Sequence, residues 1–299
     1  MIKGLAITPP VLGRISIGRV IEKNGKRLPE KDDQFTITSQ VQNRDGWVLH
    51  PLDEELRKGA ANNKLRSIPV KVLFNDPDLN LRSEYSLFDK KNGRPMCAGN
   101  GDVCKRFTAS GIETATCPSP DNCELAKGGC KPYARLNVSI GDSDELGSFV
   151  FRTTGYNSIR SLAARLAYYQ AVSGNLLSCL PLELRLRGKS TTQSHRSAIY
   201  YVDITVREGL TLAAAIGEAR QTDEMRKAVG YDQDALDIAA RKGFANGAFE
   251  ESDDEVADVV DEFFAETQAD EKPLPRSTTK PSLLDKLNKK TSERLEEAA

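Results

Sequence analysis

The sequence predicts an α+β protein: a strand-rich sheet or partly open, OB-like barrel with a zinc-binding insert, followed by C-terminal helices and a disordered acidic tail. Three observations carry that expectation. Short segments alternating apolar and polar residues recur through the first 210 residues, which is the signature of half-buried strands. One amphipathic helix with legible ends lies among them. Five of the six cysteines fall between 97 and 130, in a stretch rich in Gly, Pro, Asn and Asp.

The elements follow in order. Ile15-Ser16-Ile17 and Phe35-Thr36-Ile37-Thr38 alternate, and Asn24-Gly25 between them is a hairpin signal. Val70 to Phe74 reads as a strand closed by Asn75-Asp76-Pro77-Asp78, and Tyr85 to Phe88 as another that turns at Asn92-Gly93. Ala134 to Ile140 and Phe149 to Thr153 alternate again, joined by an acidic loop from Gly141 to Gly147. A helix then opens at Asn157 or Ser158, buries a stripe of Ile159, Leu162, Leu166 and Tyr169, and stops at Gly174. Leu182 to Leu186 and Ile199 to Ile204 complete the sheet, giving a core domain over 1–210 with an insert at 97–130. Residues 211–247 form a helical extension, 248–281 an acidic linker with too little apolar surface to offset chain entropy, and 282–299 a short helix or tail.

With 28% charged and 39% hydrophobic residues, the 299-residue chain belongs among soluble globular proteins. No apolar stretch approaches the roughly 18 to 20 residues that cross a bilayer, and no signal-peptide pattern opens the chain, so the expected location is the cytoplasm, with no membrane partner. The net charge of -1 hides an asymmetry. Residues 250–271 carry 11 acidic and no basic side chains, whereas residues 1–249 carry 35 basic and 28 acidic ones, a net of +7. A basic body suggests a polyanion partner, and DNA is the leading candidate. An acidic tail is able to compete for the same surface.

In a reducing compartment, clustered cysteines read better as metal ligands than as disulfides. The segment from Cys97 through Cys104, Cys117 and Cys123 to Cys130 has almost no large apolar residues, and four thiolates around a structural zinc would supply the missing cohesion. Free buried thiols are the plain alternative. The CxxC of a redox pair is absent, and a catalytic zinc is disfavoured because His50 and His195 lie far from the cluster in sequence. Phosphate-binding, zinc-protease and nucleophile-elbow motifs are missing too, and Asp76, Asp78 and Asp89 read as turn residues rather than a metal set.

Several segments, ISIGRVIEKNGKRLPEKDDQFTIT, PMCAGNGD, CPSPDNCELAKGGCKPYARL, TTGYNSIRSL and PLELRLRGK, resemble the recombination directionality factor-like family of phages and integrative elements, over roughly residues 12–207. The resemblance implies a non-enzymatic accessory role in DNA recombination, with a serine integrase as the partner that is switched from integration to excision. It also places Cys97, Cys117, Cys123 and Cys130 at the family's cysteine positions, and leaves Cys104 as a spare. If DNA is bound, Arg152, Arg160, Arg165, Arg185 and Arg187 are the candidate phosphate contacts. The competing function is a single-stranded DNA-binding protein of phage recombination or replication. Tyr133, Phe149, Phe151, Tyr200 and Tyr201 are its stacking candidates, and the Asp261-Glu262-Phe263-Phe264 segment resembles a partner-recruiting tail.

Overall fold

The computed structural model describes residues 10–23, 26–44, 46–89, 93–142, 147–190, 198–243 and Phe263, with the backbone alone over 19–32. Among these residues twelve strands form one branched sheet. The first two, β1 (Val11–Lys23) and β2 (Lys26–Asn43), form a long hairpin that closes at the Lys23↔Lys26 pair, as the turn signal predicts, and β3 (Gly46–Leu49) continues it. Next come β4 (Ser67–Lys71), β5 (Leu81–Phe88), β6 (Pro95–Gly99), β7 (Val103–Thr108) and β8 (Gly111–Thr116). The remaining four are β9 (Lys131–Ile140), β10 (Ser148–Thr153), β11 (Leu182–Ser190) and β12 (Ala198–Val206).

Their order is β3-β2-β1-β10-β9-β5-β6-β7-β8, and β4, β11 and β12 branch from β9. Every pairing is antiparallel except β1 with β10. Among the described residues this path is open, so the barrel alternative is replaced by a branched sheet. The branch exists because β9 is long enough to divide its edge: its first half pairs with β5 and its last residues, Ser139 and Ile140, pair with Lys71 and Val70 of β4.

Alternation decides which face is dry. Ile15, Phe151, Leu136 and Leu81 stand directly across four neighbouring strands and are all buried in the main core. Onto this face pack α3 (Tyr156–Ser173), through Ile159, Leu162, Leu166 and Tyr169, and α4 (Leu212–Ala228), through Ala215 and Ala219. The stripe of α3 and its stop at Gly174, with φ of +71°, are as expected. Its start is not. Gly155 is the N-cap without a side-chain bond, because Ser158 is buried and its Oγ accepts a hydrogen bond from Val202 N of β12 at 3.0 Å instead. Tertiary structure claims the hydroxyl that local capping preference would use.

The strand predicted over Val70 to Phe74 ends at Lys71, because the amides of Leu73 and Phe74 both donate to Asn80 Oδ1 at 3.0 Å rather than to a neighbouring strand. Asp76 then caps the one-turn helix α2 (Pro77–Asn80) and pairs with Arg241 of α5 (Gln233–Gly243), which confirms the turn reading for Asp76. The two predicted C-terminal helices are α4 and α5. Apart from Phe263, the predicted acidic linker and terminal helix lie outside the described residues.

Sequence reading missed one polar anchor. Asp53 of α1 (Pro51–Lys58) is 2% exposed, accepts from Ile37 N at 2.8 Å, and pairs with Arg57, whose guanidinium also donates to Phe35 O at 2.6 Å. Replacing it by Ala strands a buried amide and a guanidinium, so Asp53→Ala should lower unfolding free energy by about 3 kcal/mol in urea titration. A change under about 1 kcal/mol would mean that water replaces the carboxylate.

Candidate functional site

The cysteine insert is more ordered than a loop. Its Val-Cys-Lys-Arg-Phe-Thr and Gly-Ile-Glu-Thr-Ala-Thr runs form β7 and β8, an antiparallel meander that extends the main sheet past β6. Valine, isoleucine, phenylalanine and threonine at these positions were the available strand signal, outweighed in the sequence by the surrounding Gly, Pro and Asn.

The Cys97-Ala98-Gly99-Asn100-Gly101-Asp102 turn is built by close approach. A Cβ on Gly99 would fall 2.6 Å from Cys104 Cβ and 2.9 Å from Cys117 Sγ, so only glycine lets these thiols gather here. Gly101 takes a φ of +104°, Asn100 Oδ1 accepts from both Asp102 N and Val103 N at 2.9 Å, and Asp102 O accepts from Cys117 N at 2.8 Å. The turn thereby ties β6 to the segment following β8. Cys123 and Cys130 flank a 3-10 segment, Glu124–Gly128, in which Ala126 O accepts from Cys130 N at 3.3 Å.

All five cysteines line one small cavity of about 20 Å³, together with Tyr85, Leu87 and Arg106. Cys104 and Cys117 are buried, and Cys97, Cys123 and Cys130 are half-buried. Burial, and then a side-chain hydrogen bond with Cys104, pushes the Cys97 thiol up to about 12, against the opposing pull of Arg106. Cys130 is pushed up to about 11 by burial and then by Cys117, Cys123 and Cys104. Cys104, a spare by the family resemblance, thus lines the same cavity as the other four thiols. Among the described residues no group of three or more His, Cys, Asp or Glu side chains is arranged to hold a metal ion. The five thiols share a cavity without forming a closed coordination shell. The sixth, Cys179, is buried elsewhere, with Arg226 Nη1 donating to its Sγ at 3.5 Å.

A second feature lies on the sheet face opposite the core. Arg152 of β10 pairs directly with Arg135 of β9, which pairs directly with Arg82 of β5, so three arginines stand in one row across three strands. Arg14 of β1 shares this face near the row, its guanidinium 3.9 Å from the centre of the Trp47 ring. Like charges opposed across strands cost roughly 0.2–1 kcal/mol per pair, so such a row favours a nearby anion. Glu84, on the same face of β5 opposite Tyr133, is one described acid beside it.

The other nominated arginines are placed differently. Arg187 bonds Asp203 at 2.8 Å and Arg165 approaches it at 3.5 Å, while Arg185 bonds Glu183 at 2.8 Å and Glu208 at 3.3 Å. Arg160 is exposed on α3. Only Arg152 belongs to the row, and Arg14, Arg82 and Arg135 escaped notice because their strand partners lie distant in sequence. Of the aromatics considered for base stacking, Phe149 and Phe151 are buried in the main core and Tyr133 is buried on the opposite face, while Tyr200 and Tyr201 are half-buried. His50 caps α1, accepting from Leu52 N at 3.3 Å, and packs edge-on to Phe149; His195 lies outside the described residues. No described helix is long and apolar enough to cross a membrane.

The branched sheet, its cysteine meander and its arginine face define a strand-rich α+β body. A profile of the Gp3-like, recombination directionality factor-like family matches residues 12–207, from β1 to just past β12. The chain belongs to that family. No curated protein and no solved structure matches it.

Proposed function

We propose that this protein is a non-catalytic accessory factor of DNA recombination in a phage or integrative element, acting by contacts with DNA and with a recombinase of the serine integrase class. Family membership across the whole sheet body carries the reading. Support from the site is chemical. Among the described residues the cysteine cavity is lined by thiols and no histidine, and the arginine row, with Arg82 and Arg152 buried and Arg135 half-buried, concentrates positive charge on one sheet face, which suits an anionic partner.

Four of the thiols, Cys97, Cys117, Cys123 and Cys130, hold a structural zinc in this proposal, which requires side-chain rotation within the cavity. A bound zinc would stabilise the thiolates and cross-link β6, the end of β8 and the 3-10 segment that leads into β9. Arg106 and Cys104 then serve as neighbours of the thiolate cluster.

The role is tested by excision. With purified integrase from the same element and a substrate carrying its hybrid attachment sites, adding the protein should raise excision at least tenfold and suppress integration. Unchanged yields of both reactions would refute the directionality role. Turnover of a nucleotide or ester that disappears with a point mutation would refute the non-catalytic one.

A further inference from the structure

Phe263 comes from the most acidic part of the chain, yet its side chain is fully buried. It packs edge-on against Phe88, at 4.8 Å between ring centres, and Tyr133, at 5.9 Å, with Lys131 Nζ 4.7 Å above its ring. Phe88 and Tyr133 also meet each other edge-on at 5.4 Å, so the three rings form a complete cluster. Its location follows from strand parity. Phe88 lies on the same side of β5 as Arg82, and Lys131 and Tyr133 on the same side of β9 as Arg135, so Phe263 is seated at one end of the arginine face.

We propose that this aromatic socket and the adjoining arginine row form a docking site for the chain's own acidic segment, residues 250–262, which Phe263 anchors in competition with the DNA phosphate backbone. Charge supplies the complement: those thirteen residues hold eight acidic side chains and no basic one. Geometry supplies the anchor, since Phe263 packs against Tyr133, which stands two residues from Arg135 on the same face of β9. Chain length permits it. Nineteen residues lie between Gly243, the end of α5, and Phe263, and a random-coil chain of that length would reach about 25 Å and hold its end at an effective concentration on the order of millimolar. Weak intrinsic contacts therefore suffice to occupy the site in cis, and a multivalent polyanion can displace them. The competition with DNA rests on the DNA-binding reading above; the docking itself does not.

The test uses the full chain and a fluorescent peptide spanning residues 250–266. Phe263→Ala should open the socket and bind the peptide at least tenfold more tightly than wild type, whose socket is already filled. A peptide carrying Phe263→Ala, or protein carrying Lys131→Glu besides Phe263→Ala, should bind at least fivefold more weakly. A DNA duplex of about thirty base pairs should displace the peptide, and Phe263→Ala protein should bind that duplex more tightly than wild type, with the difference shrinking as salt rises. If Phe263→Ala is less stable, adding the peptide should restore its melting temperature.

Equal peptide binding by wild type and variant, or failure of the peptide to bind or to rescue the variant, overturns the docking site. Unaltered peptide binding in the presence of bound duplex overturns the shared surface. Absence of duplex binding by both proteins, with the peptide still captured by the variant, refutes the DNA-binding reading and leaves the cis dock standing.

Discussion

Protein purified without chelator should carry about one zinc per chain, and Cys117→Ser or Cys130→Ser should abolish it. The expected effect is large because metal binding to small thiolate sites contributes on the order of 10 kcal/mol to local order in isolated peptides. The insert has little else to hold it: β7 and β8 present exposed Val103, Phe107 and Ile112, while the main apolar core lies across the sheet from β1 to β12. Loss of zinc should fray β6 to β8 and leave that core folded, giving two thermal transitions and protease cleavage confined to 97–130. Cys104→Ser separates the two ligand sets. Retained zinc supports the four-cysteine assignment, whereas loss of zinc would make Cys104 a ligand. Well-folded wild-type protein with a zinc content near zero would eliminate the metal altogether.

Charge reversal at Arg135 should weaken DNA binding by at least tenfold at moderate salt, and lower the slope of log affinity against log salt by about one for each phosphate that is no longer neutralised. Arg135 is the informative position because it is the half-buried centre of the row, flanked by Arg82 and Arg152. Reversal of Arg187 serves as the contrast. Its bond to the buried Asp203 means that Arg187→Glu should destabilise β11 and β12 more than it changes DNA affinity. Equal DNA binding by Arg135→Glu and wild type, with folding intact, would remove the arginine face from the interaction.

How much of this is legible in the sequence differs by level. Period-two alternation locates β1, β9, β10 and β11, and the α3 stripe can be read residue by residue, because burial on one face imprints directly on sequence. The meander in the cysteine segment escapes such a reading because Gly99 and Gly101 look like loop residues, though Gly99 is needed for the approach of Cys104 and Cys117. The arginine row is illegible in principle from one strand alone. Arg82, Arg135 and Arg152 become neighbours only through register, and register between distant strands depends on which faces the whole sheet buries. Phe263 stands out as part of an acidic aromatic motif, but its socket is assembled from β5 and β9, far away in the chain.

The parallel pairing of β1 with β10 has a consequence for biosynthesis. The outer edge of the first hairpin cannot be covered until Ser148 to Phe151 have left the ribosome, some 125 residues after β1 ends. At about 5–20 residues per second, that strand edge stays open for roughly 6–25 s on every nascent chain. Open edges recruit other strands, so slow translation or crowded polysomes put this chain at risk of pairing β1 with a neighbour. Low expression temperature and chaperone supply would then govern soluble yield more than the stability of the finished sheet does.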